Sequence, residues 1–219
     1  MPNFKLFHGL FCGLLLAVGT VGVYAEDQPK SAAKPIEGKL LFDGKTLTNW
    51  KQCKFRGEGK VEVKEGALSI GTGGPMNGIV WDGAALPKVN YEVTWEARRV
   101  EGQDFFCALT FPVQDSPCTL VLGGWGGMMV GLSSLDGSDA SENETSQQIA
   151  FEQNHWYKMR LRVTEEKIQA WLDEKALVDV DYQNRRVSIR IEVEPCRPFG
   201  ISTYRTTGEI RELRLRDVK

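Results

Sequence analysis

The sequence predicts an all-β fold, a two-sheet antiparallel sandwich of the jelly-roll type. Short runs of alternating apolar and polar residues recur from Lys39 onward, and Gly, Asn, Asp and Pro residues separate them. No window has the length and period that a helix requires. Many short strands with frequent turn residues are typical of sandwiches and jelly rolls.

The clearest predicted strand spans residues 91–98. Its apolar face carries Tyr91, Val93, Trp95 and Ala97. The next apolar run, residues 105–111, is expected to pair with this strand as a hairpin. A three-residue turn at 101–103 places Glu96 opposite Ala108 and keeps the apolar side chains on one face.

Two later runs predict a second hairpin. Residues 157–163 and residues 168–173 both alternate, and the charged residues 165–167 between them form the turn. Residues 187–193 also alternate and are predicted to form a further strand. Trp50 and Trp95 are assigned to the core of the sandwich.

The first 25 residues predict a secretory signal peptide, because Lys5 precedes a short apolar run and small residues end at Ala25. An uncleaved membrane anchor is the alternative, although the run is short for a bilayer span. Residues 26–38 are polar and contain two prolines, so a flexible linker is expected there. One domain is then expected at residues 39–219, secreted or periplasmic and free of the membrane after cleavage near Ala25.

The overall charge argues against one class of partner. The chain has 27 Lys and Arg residues and 29 Asp and Glu residues, whereas nucleic-acid binders carry a basic surface. No nucleic-acid partner is therefore expected. The oligomeric state stays open at this level.

Four cysteines follow the predicted cleavage point: Cys53, Cys107, Cys118 and Cys196. An exported chain can form disulfides, and four cysteines allow three pairings. The pairing Cys107–Cys118 would join neighbouring strands, and Cys53–Cys196 would then connect distant parts of the chain. Buried free thiols are the alternative. Neither a metal site nor a cofactor is predicted, because no Cys-x-x-Cys spacing occurs and the acidic residues 136–144 match no calcium loop.

Six segments, in the same order along the chain, together resemble one family. The segments are LFDGKTLTNW at 41–50, EGALSI at 65–70, and residues 91–98, 156–161, 168–173 and 209–215. They are similar to the motifs of the 3-keto-disaccharide hydrolase domain, a branch of the concanavalin A-like lectin/glucanase superfamily. The resemblance implies a concanavalin A-like jelly roll whose concave sheet meets sugars.

The resemblance also implies a function. It points to a secreted glycoside hydrolase that acts on 3-keto-glycosides or disaccharides. A non-catalytic, lectin-like carbohydrate-binding or scaffold domain of the same fold is the alternative. Asn49 departs from the family pattern, in which a Gly precedes the Trp. The alternative is favoured because residues 199–205 contain neither the Gln nor the His that family members often carry there, and because no pair of acidic residues is evident.

Carboxylates are the candidate acid/base groups for glycoside chemistry. Glu96 is the candidate catalytic residue. Arg98 and Asp104 share its polar face in the predicted hairpin and are candidate substrate-binding residues. Glu92 lies on the same strand about 13 Å from Glu96 at the usual strand rise, so a second carboxylate would have to come from elsewhere. The one histidine after the signal peptide, His155, is predicted to lie in a turn.

Sugars also need flat apolar surfaces beneath their C–H faces. The candidate substrate-binding aromatic residues are Trp81, Trp125 and Tyr204. Trp125 is the strongest of them, because Gly residues flank it on both sides in the segment 123–127 and leave its ring room. A glycine-rich bend whose Trp packs against its own sandwich is the alternative.

Overall fold

The computed structural model describes residues 37–219, which form two antiparallel β-sheets packed face to face. In spatial order, the eight-stranded sheet contains β13 (Lys175–Asp181), β12 (Lys167–Leu172), β11 (Tyr157–Val163), β6 (Tyr91–Gly102), β15 (Thr206–Asp217), β4 (Ala67–Ile70) and β3 (Val61–Lys64), with β1 (Lys39–Leu40) also paired to β15. The seven-stranded sheet contains β10 (Gln147–Gln148), β9 (Met129–Ser133), β8 (Ser116–Gly124), β7 (Cys107–Val113), β14 (Gly200–Tyr204), β5 (Met76–Trp81) and β2 (Trp50–Gln52). The predicted fold class is confirmed.

The core lies between the two sheets, where the alternating apolar faces meet. The four predicted inward residues of β6 are buried: Tyr91, Val93, Trp95 and Ala97. Trp50 is buried as well. Within residues 37–219, no helix has the length and apolar character to cross a membrane. The predicted signal peptide and nearly all of the predicted linker lie outside the described residues.

The predicted hairpin of β11 and β12 is confirmed, with Val163 opposite Ile168. The predicted hairpin of β6 and β7 is wrong. β6 pairs with β11 and β15 in the eight-stranded sheet, whereas β7 pairs with β8 and β14 in the seven-stranded sheet. The intervening residues 103–106 carry the chain from one sheet to the other.

The reason for this difference is that alternation identifies the buried face of a strand and not its hydrogen-bonded neighbour. Two strands that face each other across a core satisfy the same pattern as two strands side by side. Glu96 and Arg98 consequently lie on the outer face of the eight-stranded sheet. Asp104 lies beyond the end of β6, and the polar face predicted for these three residues does not exist.

The strand predicted at residues 187–193 is also wrong. Val187 makes an isolated bridge to Leu135, and a 3₁₀ helix then spans Ile191–Cys196. Ile191 is 79% exposed, so the apolar alternation does not correspond to one buried face. Pro195 cannot donate to a β-ladder, which disfavours continued pairing.

The four cysteines of residues 37–219 are buried free thiols. Cys107 lies opposite Leu122 and Cys118 lies opposite Phe111, so the two sulfur-bearing residues are offset by roughly 13 Å along the β7–β8 ladder. This offset is too large for a disulfide, and the predicted pairing of Cys107 with Cys118 is wrong. The Sγ atoms of Cys53 and Cys196, in contrast, lie 3.3 Å apart.

Candidate functional site

A groove lies on the outer face of the seven-stranded sheet, with a cavity volume of about 340 Å³. Its floor is formed by outward residues of three adjacent strands: Ala108, Thr119, Val121 and Ser133. These side chains are small or medium in size, which leaves the groove its depth. The 3₁₀ helix forms one side of the groove through Val193. Asp104, Trp125 and Tyr204 also line the groove. Three residues that the sequence analysis selected from separate segments therefore meet in one groove.

Trp125 presents the largest exposed aromatic surface of the groove, with 47% of the residue accessible. It occupies the segment of residues 123–127, which includes the end of β8 and the start of the turn to β9 and is called the Trp125 loop below. The N–H of Gly127 donates to the carbonyl of Gly124 at 3.1 Å and closes this loop. Trp125 itself has φ +47°, a left-handed conformation that bulky residues rarely adopt. The loop thus directs a large ring away from the core.

Asp104 fixes the Trp125 loop from the side. One carboxylate oxygen accepts the N–H of Gly126 at 3.1 Å, and the other accepts the N–H of Phe105 at 2.8 Å. The backbone N–H of Asp104 donates to Thr206 Oγ1 at 2.9 Å. The structure therefore gives Asp104 a role in holding the loop, and its substrate-binding role stays a prediction.

An aromatic pair forms a second wall of the groove. The rings of Phe105 and Tyr204 lie 5.7 Å apart at 34°, and the N–H of Tyr204 donates to the carbonyl of Phe105 at 3.0 Å. The guanidinium of Arg205 lies 5.3 Å from the centre of the Tyr204 ring. Together with Trp125, this pair provides the flat apolar surfaces that sugar rings contact.

Charged residues at the other side of the groove were missed by sequence reasoning. Arg190 donates to both carboxylate oxygens of Glu192, at 3.2 and 2.8 Å, and also contacts Asp139. Asp139 in turn accepts the hydroxyl of Ser133 at 2.6 Å. The alternating charges around residue 190 were visible in the sequence, but a predicted strand gave no reason to place them in the same groove as Trp125.

The electrostatics of this group favour binding over proton donation. Hydrogen bonds from Arg190 hold the pKa of Glu192 below its usual value, so Glu192 is ionised at neutral pH. A general acid needs the opposite, a carboxyl whose pKa is raised toward the working pH. The Arg190–Glu192 pair is suited to hydrogen-bonding the hydroxyl groups of a ligand.

Glu96 and Arg98 do not reach the groove. Glu96 accepts a hydrogen bond from Arg211 at 2.6 Å, and Arg98 donates to Glu209 at 2.7 Å. The ring of Trp156 lies beneath both guanidinium groups, 4.6 Å from that of Arg98 and 4.0 Å from that of Arg211. These residues form an ion-paired layer on the opposite side of the sandwich.

Trp81 does not reach the groove either. It is 8% exposed, packs edge-on against Trp50 at 5.2 Å, and donates its indole N–H to the carbonyl of Ala84 at 2.8 Å. Its ring is part of the core, contrary to the expectation that it faces a ligand. His155 is exposed beside Tyr157, with 4.6 Å between ring centres, and is not among the groove residues.

The acidic loop around residues 136–144 pairs with arginines. Arg185 donates to Asp136 at 2.8 Å and also binds Glu144. Within residues 37–219, no group of three or more His, Cys, Asp or Glu side chains has the arrangement of a metal site.

Solved structures with this fold include proteins that act on carbohydrates and proteins that bind them. The carbohydrate-binding module CBM66 from Bacillus subtilis is 12% identical over 77% of this chain and 96% of its own, with a TM-score of 0.51. The carbohydrate recognition domain of Emp46p, in its metal-free form, is 14% identical over 83% of this chain and 94% of its own, with a TM-score of 0.54. At these identities, the likeness establishes the fold alone.

A third solved structure comes from work on endo-acting O-glycanases that members of the human gut microbiota express to initiate mucin breakdown. It is 16% identical over 83% of this chain and all of its own, with a TM-score of 0.53. A comparison with curated proteins finds no match.

The family resemblance is confirmed by a sequence profile. The profile of the 3-keto-alpha-glucoside-1,2-lyase-like domain matches residues 37–216, which is nearly all of the described chain. The match covers both sheets and every groove residue discussed above. The chain belongs to the family of 3-keto-alpha-glucoside-1,2-lyase-like domains.

Proposed function

We propose that the groove on the seven-stranded sheet binds a carbohydrate. The observation that carries this proposal is the exposed ring of Trp125, which a glycine-rich loop presents over a floor of small residues. A pyranose ring needs such a flat surface on one side and hydrogen-bonding groups on the other. The Arg190–Glu192 pair supplies the second requirement. The carbohydrate-binding solved structures of the same fold support this choice of ligand.

The size of the groove is consistent with a small ligand. A volume of about 340 Å³ lies at the lower end of the range for ligand pockets. One or two sugar residues therefore fit the groove better than a long segment of polysaccharide. Because the groove is open to solvent, a longer glycan could be held at one end.

Titration calorimetry with 3-ketotrehalose, trehalose and methyl glucoside tests the proposal. Trp125→Ala is expected to weaken binding about fivefold or more, since stacking of a nucleic-acid base on one aromatic ring contributes roughly 1–3 kcal/mol and a sugar ring makes a similar flat contact. Trp156→Ala is the matched control, because it removes a Trp from the opposite side of the sandwich. Equal loss in both variants, or binding that survives Trp125→Ala, would contradict the proposal.

A second candidate function is cleavage of a 3-keto-glycoside, and the family match favours it. The carbonyl at C3 makes the proton on C2 acidic, so an ionised carboxylate can accept it while the bond from C1 to the glycosidic oxygen breaks. A double bond then forms between C1 and C2 of the 3-keto sugar, and the departing oxygen takes a proton from water. Glu192 is the ionised carboxylate that lines the groove. Release of the aglycone from 3-keto-glycosides, lost in Glu192→Gln with the binding affinity retained, is the expected result. No release above buffer would leave carbohydrate binding as the function.

We also propose that the protein is exported. The support is the charged, apolar and small-residue pattern of residues 1–25, which is typical of signal peptides. N-terminal sequencing of the protein recovered outside the cytoplasm is expected to begin near Glu26. Recovery of the full chain from the cytoplasm alone would contradict export.

A further inference from the structure

Arg99 connects the two sheets directly beneath the Trp125 loop. It follows Ala97 on the inner face of β6, and only 6% of the residue is exposed. Its side chain crosses to the seven-stranded sheet, where Nη2 donates to the carbonyl of Gly127 at 2.7 Å. A buried guanidinium therefore contacts the loop from the side that faces away from solvent.

One glycine of the loop leaves room for this guanidinium. A Cβ at Gly123 would lie 2.4 Å from Nη2 of Arg99, which is closer than real contacts allow. At Gly127 the close neighbour is instead the carbonyl oxygen of Gln103, which a Cβ would approach to 2.6 Å. Arg99 thus gives a physical reason for Gly at position 123, in addition to its positive φ of +75°.

The surroundings of Arg99 are mostly aromatic. Its guanidinium lies 5.2 Å from the centre of the Phe106 ring and 5.9 Å from that of Phe151, distances typical of cation–π contacts. Its Nε has no hydrogen-bond partner within the part of the chain that the structure describes. Burial lowers the pKa of Arg99, and the nearby carboxylate of Asp104 opposes that effect. Such a costly buried cation indicates a function beyond filling space.

Trp125 needs support of this kind. Its φ of +47° is unfavourable for a bulky residue and persists only where the surroundings determine it. Asp104 holds the loop through Gly126, and Arg99 holds it through Gly127. The two contacts fix the two residues that directly follow the strained residue.

We propose that Arg99 is a positioning residue that keeps the Trp125 ring in the orientation in which it binds a sugar. The ligand part of this inference rests on the proposed function, whereas the loop part does not. Removal of the guanidinium should allow the loop to relax toward a less strained conformation. The ring would then have to be ordered again each time a ligand binds, which weakens affinity.

The test uses protein labelled with 5-fluorotryptophan and fluorine NMR, with the Trp125 resonance assigned from Trp125→Phe. Arg99→Met is expected to shift and broaden that resonance and to weaken sugar binding about tenfold, as loss of a preorganised loop does. Arg211→Met is the control, because it removes a partly exposed guanidinium from the eight-stranded sheet. A Trp125 resonance identical to that of the parent in Arg99→Met would overturn the inference.

Two further arms keep the experiment decisive. Arg99→Lys retains the charge but not the planar guanidinium whose Nη2 reaches Gly127, so its Trp125 resonance and affinity should fall between those of the parent and Arg99→Met. If Arg99→Met does not fold, a parent-like resonance in Arg99→Lys overturns the inference, because an ammonium cannot fill the planar site of a guanidinium. If the parent binds no sugar, the proposed function fails, and the resonances still decide the role of Arg99.

Discussion

The carboxylate of Asp104 accepts the backbone N–H of Gly126 at 3.1 Å. This bond joins the segment that crosses between the sheets to the loop that carries Trp125. The other oxygen of Asp104 accepts the N–H of Phe105, the first residue of the aromatic wall. One side chain, in the segment that crosses between the sheets, therefore hydrogen-bonds to both the Trp125 loop and the aromatic wall.

The first prediction concerns this side chain. Asp104→Ala should reduce the free energy of unfolding by about 1–2 kcal/mol, since it leaves two backbone donors without their acceptor. Sugar affinity should fall by a similar factor to that of Trp125→Ala. Asp104→Asn keeps one acceptor oxygen and should have an intermediate effect. Denaturant unfolding and calorimetry measure both quantities, and unchanged affinity in Asp104→Ala would show that the loop does not depend on this contact.

The second prediction separates the two sides of the sandwich. Glu96→Gln should leave groove binding of sugars unchanged, because Glu96 is engaged with Arg211 on the opposite sheet. The catalytic role of Glu96 stays a prediction from sequence, and the same variant tests it. If the parent cleaves a 3-keto-glycoside, loss of turnover in Glu96→Gln at unchanged stability would support a catalytic role for Glu96. That result would also argue against catalysis in the groove.

The third prediction concerns pH. Glu92 is 2% exposed and accepts hydrogen bonds from Arg162 and Arg216 at 2.6 to 2.9 Å. Burial raises the pKa of Glu92, but the hydrogen bonds from Arg216 and Arg162 outweigh burial, and the pKa lies below its usual value. A carboxyl with a lowered pKa in the folded state stabilises the fold fully above its unfolded pKa of about 4.3. That stability is lost as the pH falls through the folded value.

Denaturant unfolding between pH 7 and pH 3 measures this dependence. Glu92→Gln should lower the free energy of unfolding at pH 7 by about 2–3 kcal/mol, because three arginines lose their shared carboxylate. The difference between the parent and Glu92→Gln should shrink as the pH falls below the unfolded pKa of about 4.3, because the unfolded state then binds the proton more readily than the folded state. A constant difference across the whole range would show that the charge of Glu92 is not responsible.

The fourth prediction concerns the cysteines. The Sγ atoms of Cys53 and Cys196 share a hydrogen bond at 3.3 Å, and that bond together with burial raises the pKa of the Cys53 thiol. A protonated thiol reacts slowly, so the pair should oxidise slowly. Under prolonged oxidation, peptide mapping should find Cys53 linked to Cys196, and Cys53→Ser should prevent it. A link between Cys107 and Cys118 would contradict the strand register.

Part of the fold could be predicted from the sequence, because alternation reports burial directly. The alternation of apolar and polar residues predicts the inward face of β6. The same alternation, with a charged turn, predicts the β11–β12 hairpin, and the family motifs predict the jelly-roll sandwich. The partner of β6 could not be predicted in this way. Its two neighbours come from residues about 65 and 115 positions later in the chain, and only long-range packing selects them.

The candidate site was predictable only in parts. Trp125 carries a local signal, since its flanking glycines are visible in the sequence. Asp104 and Tyr204 were selected for their chemistry, and the structure brings them to the same groove. Arg190 and Glu192 were missed, because Pro195 and the 3₁₀ helix interrupt a segment whose alternation resembles a strand.

The floor of the groove has a consequence for how this protein can change. Ala108, Thr119 and Ser133 point outward from strands whose inward neighbours form the core. The residues that line the groove and the residues that form the core thus lie on opposite faces of the same strands. Substitutions on the outer face can reshape the groove while the core stays intact, so descendants of this domain can diverge in what they recognise without first losing their fold.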